Sequence, residues 1–366
     1  MSAMLLSLPM PAEVRFGRGS IEGLLPLCES FGKKGFLVHG ASIKKSGKLA
    51  SVLSHGKSQP ALWEHEGGEP TLTQTTALRG YIREVAPDWV IALGGGSVLD
   101  LTRAAAGLAK APGSVLDYHD GAEIPEATIP FIAVPTTAGT GSEATTVSVL
   151  TNTATSVKKS IRHPSFMARL VILDPELLES CPVSVLAASG MDALTQALEA
   201  YCSRGATALT DSLAFSAAEK LYAALPAACE GDNAALDDLL LGCYMAGVAL
   251  ATARLGLVHG LAHPLGARYE AAHGLVCAFC LPPVLAFNRS AIPEKYGKME
   301  QLFGEDPLVA VETLIQRLKL ESPFRGKKLE NKEAIIEESL ASGSTKANPR
   351  EVSREDVVTI LKTLFA

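Results

Sequence analysis

The 366-residue chain is 47% hydrophobic and 20% charged, and 33 Lys and Arg against 39 Asp and Glu give it a formal net charge of −6. These values exclude a disordered chain, a collagen-like chain and a coiled coil. A mildly acidic chain without a basic block also argues against nucleic acid as the main partner.

The cysteines and the apolar runs bear on the cellular compartment. Seven scattered cysteines give no disulfide framework, and we interpret Cys277 and Cys280 as small core residues rather than as a redox or zinc pair. No apolar run reaches the roughly 18 residues of a membrane span, and residues 1–11 lack the positive region of a signal peptide. We therefore expect a soluble, cytoplasmic protein.

Up to about residue 175, short apolar runs alternate with glycine-rich turns and amphipathic stretches. The runs of strand length are residues 35–38, 89–93, 131–134 and 170–173. Continuous apolar runs are typical of strands buried on both faces of a parallel sheet, and residues 98–110 between them have helical spacing. The pattern predicts an α/β domain over residues 1–175.

From about residue 176 the strand signal disappears, and Ala and Leu dominate. The helical periods are residues 191–201, 210–225, 236–254 and 353–365. They predict an all-helical domain over residues 176–366, which begins near Asp174-Pro175-Glu176 because proline suits the first turn of a helix. Residues 321–350 are polar and charged, and we interpret them as a solvated loop or an exposed helix face.

A glycine loop, Gly94-Gly95-Gly96-Ser97, follows the second apolar run and precedes a helix. Glycines let backbone N–H groups approach a phosphate, and the helix N-terminus supplies a partial positive charge. Ser97 is predicted to cap this helix, and Asp100 to lie in its first turn. Leu99 occupies the third position of a GxGxxG motif, so a plain tight turn is the alternative.

A second loop, residues 135–143, follows the third apolar run and combines hydroxyls with glycines, which suits the ribose and phosphate edges of a nucleotide. A surface turn is its alternative. Two such loops at the carboxyl ends of parallel strands favour a nucleotide site. After the first run, Gly40, Ser42 and Lys44 offer no carboxylate, so a 2′-phosphate would meet no repulsion there; ordinary surface lysines are the alternative.

A third group of residues has metal-ligand character. Asp192 and Gln196 are four residues apart and share a helix face, as do His259 and His263, and His273 follows closely. One Asp and two or three His could hold Zn²⁺ or Fe²⁺. Histidines satisfied within a helical core are the alternative.

Taken together, these motifs resemble the iron-containing (group III) alcohol dehydrogenase family over most of the chain. The resemblance begins at residues 16–19, passes through the two loops and residues 171–176 and 190–195, and continues with 259–266 and 348–350. It implies a Rossmann-like, parallel-sheet dinucleotide-binding domain, an all-helical domain, an active site in the cleft between them, and a homodimer or a larger homo-oligomer.

The resemblance also implies residue roles. Gly95, Gly96 and Ser97 would take the cofactor pyrophosphate, and Lys158 its ribose. His263 would relay a proton. The other residues carried over as cofactor-binding are Gly40, Ser42, Lys44, Asp100, Thr136, Thr137, Thr140 and Ser142, and those carried over as metal ligands are Asp192, Gln196, His259 and His273.

Two positions depart from familiar members of the family. Gln196 stands where the usual ligand is His, and a neutral amide oxygen is a weaker ligand. The metal could be held by three groups and water, Gln196 could still bind it, or the site could be metal-free, as in the related maleylacetate reductases. We favour a metal of reduced affinity. Gly40 replaces the Asp of NAD-preferring members and resembles NADPH-dependent ones, which favours NADP(H) over NAD(H).

The resemblance therefore implies reversible hydride transfer between NAD(P)(H) and an alcohol or aldehyde, with Fe²⁺ or Zn²⁺ acting as a Lewis acid on the substrate oxygen and His263 as proton relay. The expected partner is this small molecule, not nucleic acid or a membrane. A dehydroquinate-synthase-like lyase, a metal-free maleylacetate-reductase-like enzyme and a non-catalytic nucleotide binder are the alternatives.

Overall fold

The computed structural model describes residues 8–126, 129–155 and 157–366. They divide into two compact units. The α/β unit comprises Pro9–Thr137 and Gly141–Cys181, and the helical unit comprises Pro182–Ala366, with which the loop residues Ala138–Thr140 are grouped. The predicted fold class, a Rossmann-like parallel-sheet half followed by an all-helical half, is confirmed.

The α/β unit has two sheets. The strands in its described residues are β1 Glu13–Phe16, β2 Gly35–Gly40, β3 Ala61–His65, β4 Trp89–Gly94, β5 Phe131–Pro135, β6 Val147–Asn152, β7 Val157–Arg162 and β8 Leu170–Leu173. Six of them form a parallel sheet in the order β1-β8-β5-β4-β2-β3, and β6 pairs antiparallel with β7.

The four predicted apolar runs lie in β2, β4, β5 and β8, the inner strands of the parallel sheet, where almost every residue is buried. Their continuous apolar sequence follows from helices covering both faces. The outer strands β1 and β3 were not predicted, because an edge strand has exposed polar residues and no continuous apolar run.

The strand order creates a place for a ligand. β3 lies on one side of β2, and the next strand in the chain, β4, lies on the other side. The order reverses between β2 and β4, and open α/β sheets bind ligands beside the carboxyl ends of the two strands at such a point. These ends carry Gly40 and Gly94.

The α/β unit contains six α-helices in its described residues. They are α1 Leu24–Cys28, α2 Ala41–Lys45, α3 Lys48–Ser54, α4 Leu72–Val85, α5 Gly96–Gly107 and α6 Val115–His119. The glycine loop leads into α5. The predicted capping role of Ser97 is wrong: Gly95 is the N-cap of α5, since its extended backbone directs its carbonyl to Val98 and Leu99. Asp100 consequently lies beyond the first turn.

The helical unit accommodates all the predicted helical periods. Its helices are α7 Val183–Cys202, α8 Ala208–Cys229, α9 Ala235–Ala253, α10 Leu257–Tyr269, α11 His273–Asn288, α12 Pro293–Phe303, α13 Pro307–Arg317, α14 Lys332–Ala341, α15 Gly343–Ala347 and α16 Arg354–Leu364. Helix α7 packs against α8, α9 and α11, and α10 packs against α11, α14 and α15.

Two described stretches, Ala235–Ala253 and His273–Ala291, are long and apolar enough to cross a membrane by length and composition. In the structure 56% and 50% of these windows are buried inside the protein. Core helices of soluble proteins pass the same test, so this finding carries no assignment to a membrane.

The interpretation of residues 321–350 as solvated is wrong for their second half. Helices α14 and α15 pack against α10, and Ile335 and Ile336 of α14 are fully buried. Two adjacent isoleucines among charged residues are too short a signal for periodicity to detect, so only the tertiary contacts reveal this buried face.

Candidate active site

The two loops predicted for a nucleotide lie side by side in the α/β unit. The Thr136 backbone N–H donates a hydrogen bond to the Gly94 carbonyl at 3.0 Å. A Cβ atom on Gly94 would lie 2.6 Å from the Val98 side chain, and one on Gly95 would lie 3.3 Å from Thr137. Because glycine has no side chain, Gly94 and Gly95 permit this close packing of strand, loop and helix.

The start of α5 is exposed to a ligand at this edge. Gly95 is the N-cap, Gly96 and Ser97 begin the 12-residue helix, and the first N–H groups of a helix have no partner within it. Together with the partial positive charge of the helix N-terminus, they suit a phosphate. The structure thus brings the glycine loop and the Thr136-Thr137 step together at the switch point of the sheet, which fits a dinucleotide.

Beneath the loops lies a buried polar network. Ser142 Oγ donates to Asp100 Oδ1 at 2.6 Å, the Val149 N–H donates to Asp100 Oδ2 at 2.9 Å, and Arg103 Nη1 donates to Ser142 Oγ at 2.9 Å. The Asp100 carboxylate is therefore engaged by protein donors, and with Ser142 it ties α5 to the second loop. Burial raises the pKa of Asp100 in spite of Arg103. Sequence reasoning missed Arg103, which is only one charge in an apolar helix.

Glu143, the last residue of the second loop, is buried beside this network. Its side chain is 2% exposed, and its Oε1 atom has no hydrogen-bond partner among the described residues. Burial raises the pKa of Glu143 to about 7, although Arg103 acts in the opposite direction. The carboxyl group therefore keeps its proton to a higher pH than an exposed glutamate does.

The cationic side chains predicted for the cofactor both have acidic partners. Lys44 Nζ lies 2.6 Å from Glu64 Oε2, and Lys158 Nζ lies 2.7 Å from Glu69 Oε2. The expectation that no carboxylate lies near Gly40 is correct for the neighbouring residues in the sequence. It is wrong for the folded structure, where a carboxylate of the adjacent strand lies nearby. β3 pairs with β2 so that Glu64 lies opposite His39, a proximity that only the sheet creates.

Thr140 and Gly139 belong to the loop residues grouped with the helical unit. A Cβ atom on Gly139 would lie 2.7 Å from Cβ of Ser189 on α7. Glycine is therefore required where this loop touches α7.

The helical unit contains a compact donor cluster. It consists of Asp192 of α7, His259 of α10, and His273 and Cys277 of α11, whose ligand atoms all lie within 4.8 Å of one another. Asp192 Oδ1 is 3.3 Å from His259 Nε2 and 3.7 Å from His273 Nε2. Burial raises the pKa of Asp192, but the two histidines outweigh it and the net pKa is lowered. Asp192 therefore stays ionised and available to a cation.

A glycine brings two of these helices close enough for the cluster. A Cβ atom on Gly274 would lie 2.1 Å from the Ala188 carbonyl oxygen and 3.2 Å from Cβ of Asp192. Only glycine allows the first turn of α11 to approach α7 this closely. The approach places His273 and Cys277, which share one face of α11, beside Asp192.

Glu199 orients the buried histidine. Nδ1–H of His259 donates to Glu199 Oε2 at 2.7 Å, and the Val258 N–H donates to Glu199 Oε1 at 2.6 Å. This leaves Nε2 of His259 facing Asp192 Oδ1. Burial lowers the pKa of His259, but its partners Cys277, Asp192 and Glu199 outweigh it, and the pKa is raised. Nε2 would therefore give up its proton on binding a cation, with Glu199 behind it as the carboxylate found behind metal-bound histidines. Sequence reasoning missed Glu199, although it lies two turns after Asp192 on the same side of the helix.

Cys277 is a buried core residue, as interpreted from the sequence, and it also belongs to the donor cluster. It is fully buried, as a core cysteine would be, but its Sγ atom lies 3.6 Å from His273 Nε2 and 3.9 Å from His259 Nε2. Burial raises the pKa of its thiol to about 12. Cys280 is buried too and is not part of the cluster. The four-residue spacing of His273 and Cys277 on a helix was the signal in the sequence that could have identified Cys277.

Two further predicted residues flank the cluster. Gln196, one turn after Asp192 on α7, is 4% exposed, and its amide oxygen has no hydrogen-bond partner among the described residues. His263 stacks on His273 with ring centroids 5.3 Å apart and planes at 23°. A buried carboxylate, two imidazoles, a thiol and an unsatisfied amide oxygen form a donor set that fits a divalent transition metal.

Two family models match the chain. Residues 11–175 match "Iron-containing alcohol dehydrogenase", and residues 186–365 match "Fe-containing alcohol dehydrogenase family, C-terminal". Between them they span nearly the whole sequence, including both loops and the donor cluster.

Relatives of known name are similar over almost their full length. A probable alcohol dehydrogenase, EutG, of Escherichia coli (strain K12) is 34% identical over 95% of this chain and 92% of its own length. An NADPH-dependent butanol dehydrogenase of Clostridium saccharobutylicum is 32% identical over 97% of both chains. An NAD-dependent methanol dehydrogenase of Bacillus methanolicus is 30% identical over 96% of this chain and 97% of its own.

A solved structure agrees with the sequence relatives. The crystal structure of a 1,3-propanediol oxidoreductase superposes with a TM-score of 0.94 at 29% identity, covering 99% of this chain and all of the other.

Proposed function

Since the chain belongs to the iron-containing alcohol dehydrogenase family and is thereby an NAD(P)-dependent alcohol or aldehyde oxidoreductase, we propose that it reduces short aldehydes reversibly with NADP(H) at a metal site in its helical unit. The observation that carries the proposal is the cluster of Asp192, His259 and His273, in which Glu199 holds the His259 ring so that its Nε2 atom faces the aspartate.

When bound, a nicotinamide cofactor would supply hydride chemistry and Fe²⁺ or Zn²⁺ would supply Lewis-acid chemistry. Asp192, His259 and His273 are the residues proposed to hold the cation, with Gln196 beside them as a neutral and weaker donor. Glu199 keeps Nδ1 of His259 protonated and its ring fixed. Asp192, Gln196, Glu199 and His259 are buried, whereas the His273 side chain is 25% exposed.

Cofactor binding is proposed for the edge of the parallel sheet. The backbone of Gly95, Gly96 and Ser97 would take the pyrophosphate. Lys158 would contact the ribose. The second loop would add hydroxyls from Thr136, Thr137 and Thr140. Asp100 and Ser142, which bond to each other beneath the loops, would act by holding the loops in place.

His263 is proposed to move the proton. Its stacking on His273 places an imidazole beside the cluster, and imidazole exchanges protons at neutral pH. In His263→Ala, turnover should fall by about 10²-fold, while the dissociation constant of NADPH stays within about twofold. Equal turnover in the variant would remove this role.

NADP(H) preference is proposed from the end of β2. Gly40 leaves space there, Ser42 and Lys44 can meet a 2′-phosphate, and Glu64 is partly neutralised by Lys44. The Gly40→Asp variant should lower kcat/KM with NADPH by at least about tenfold and leave NADH nearly unchanged, because a carboxylate repels a 2′-phosphate. An unchanged cofactor ratio would contradict the preference.

The overall proposal is tested with anaerobically purified protein, a panel of short aldehydes, and NADPH and NADH in parallel. The assays are run after chelation and after re-addition of Fe²⁺ or Zn²⁺. Oxidation of NADPH that disappears on chelation and returns with a metal is the expected result. Oxidation that survives exhaustive chelation would contradict the metal, and oxidation of neither cofactor would contradict the substrate class.

A homodimer working in the cytoplasm is proposed from the family resemblance. Sedimentation equilibrium of the purified protein tests the dimer, and fractionation of the producing cells tests the compartment. A monomer that retains full activity would overturn the assembly.

A further inference from the structure

We propose that Cys277 binds the metal as a thiolate, beside Asp192, His259 and His273, and that the site therefore prefers Zn²⁺ to Fe²⁺. The inference rests on the metal site of the proposed function. It adds to that site a ligand that the usual donor pattern of the family does not contain.

The distances match a tetrahedral ion. Around Zn²⁺, nitrogen and oxygen ligands at about 2.0–2.1 Å stand about 3.3 Å from one another, and sulfur at about 2.3 Å stands about 3.6 Å from each of them. Asp192 Oδ1 and His259 Nε2 are 3.3 Å apart. Cys277 Sγ is 3.6 Å from His273 Nε2 and 3.9 Å from His259 Nε2. Asp192 Oδ1 is 3.7 Å from His273 Nε2, and all four ligand atoms lie within 4.8 Å of one another, so shifts of side chains alone would bring them around one ion.

The backbone of α11 fixes the position of Cys277 beside the other three residues. His273 and Cys277 are one turn apart on α11, and Gly274 presses that turn against α7 beside Asp192. A side chain four residues after a ligating histidine faces the same site. The thiol is fully buried and lies among the other three side chains of the cluster.

Donor chemistry favours the thiolate over the amide. Gln196 offers a neutral oxygen, whereas a thiolate is an anionic and soft ligand that selects Zn²⁺. Glu199 already faces the N-terminal N–H groups of α10. Asp192 and the Cys277 thiolate would therefore balance the two charges of the cation. On binding, the S–H bond breaks, sulfur keeps the electron pair and bonds to the metal, and the proton leaves to solvent.

The experiment uses the full-length protein, chelated and then titrated with Co²⁺, which reports a thiolate ligand by a sulfur-to-cobalt charge-transfer absorption in the near ultraviolet. The parent protein should show this band at one equivalent. Cys277→Ser should lose the band, and its Zn²⁺ affinity, measured in competition with a chromophoric chelator, should fall by more than about 100-fold, beyond the usual effect of an outer-sphere partner.

Three variants make the result specific. Cys280→Ala removes the neighbouring buried thiol of α11 and should keep the band and the affinity. Gln196→Ala should keep the band. Asp192→Ala should lose metal binding altogether. Thermal unfolding and NADPH binding show whether each variant is folded.

The outcomes separate the two proposals. Metal binding without the band in the parent protein, or equal Zn²⁺ affinity in folded Cys277→Ser, overturns the role of Cys277 and leaves the metal enzyme intact. Should Cys277→Ser not fold, the parent spectrum decides. A parent protein that binds no more metal than Asp192→Ala overturns the metal site itself.

Discussion

The edge of the parallel sheet and the donor cluster of the helical unit are built in opposite ways. The sheet edge uses backbone groups and small residues from two short loops, and a glycine is required where β4 meets α5, at Gly94. The cluster uses side chains of three helices that are distant in the chain. A phosphate is met by N–H groups of consecutive residues, whereas a metal needs several donors converging from different directions.

This difference explains which parts of a site can be predicted from the sequence. A loop that binds phosphate is contiguous in the chain, so its sequence motif already names the residues that bind. A metal cluster appears in the sequence as pairs four residues apart, such as Asp192 with Gln196, and the membership of the cluster depends on how the helices pack. Four predictions test this contrast, from the largest expected effect to the smallest.

The first prediction removes the anion of the cluster. Asp192→Ala should lower kcat/KM for aldehyde reduction by about 10³-fold or more, as loss of a main electrostatic group at an active site does, and should purify without metal. NADPH binding should be retained, because the sheet edge is untouched. Elemental analysis and fluorescence titration provide the two readouts, and full metal content in the variant would remove Asp192 from the ligand set.

The second prediction concerns Glu143, the buried residue at the end of the second loop, and the pH dependence of stability. The folded Glu143 carboxyl keeps its proton up to a pKa of about 7, compared with 4.5 for the unfolded chain. The folded state thus binds more protons between these values, and stability falls as pH rises from about 4.5 to about 7, by about 3 kcal/mol.

Glu143→Gln should abolish this loss. Urea unfolding at about pH 5 and about pH 8 should show the variant gaining stability over the parent as the pH rises. Glu179→Gln, on the exposed surface, is the matched control and should leave the pH profile unchanged. A parallel profile for Glu143→Gln and the parent protein would show that the buried carboxyl is already ionised.

The third prediction separates orientation from ligation in the cluster. Glu199→Gln keeps the shape of the side chain but weakens its hold on Nδ1 of His259, so metal affinity should fall about 10–100-fold. The charge-transfer band of the cobalt protein should persist, since Cys277 is unchanged. Unaltered affinity would mean that Glu199 serves only the N-terminus of α10.

The fourth prediction returns to the sheet edge. Glu64→Gln removes the carboxylate that pairs with Lys44, so kcat/KM with NADPH should rise a few-fold relative to NADH, a surface effect of the size of an exposed ion pair. Raising the salt concentration should reduce the difference. A shift in favour of NADH would show that Glu64 promotes the use of NADPH instead of opposing it.

Much of the fold was predictable because burial leaves a strong pattern. The inner strands β2, β4, β5 and β8 are continuous apolar runs, and α7, α8, α9 and α16 have clear helical periods. The outer strands β1 and β3 and the β6–β7 pair escaped notice, since they alternate polar and apolar residues over few positions.

The candidate site was predictable only in part. The positions of both loops, and of Asp192, His259 and His273, follow from short motifs. Glu199, Glu64 and Arg103 could not be identified, because each acts through a contact with a residue far away in the chain.

The sequence alone was sufficient for the inner strands β2, β4, β5 and β8, the long helices, the two glycine-containing loops and the spacing of candidate ligands, because these depend on local conformation and on which side chains avoid water. Only the tertiary structure decided that Gly95 rather than Ser97 caps α5, that Glu64 stands beside Lys44, and that Cys277 completes the donor cluster. These outcomes depend on the close approach of separate elements, and such an approach is specified by packing across the whole unit rather than by any one segment.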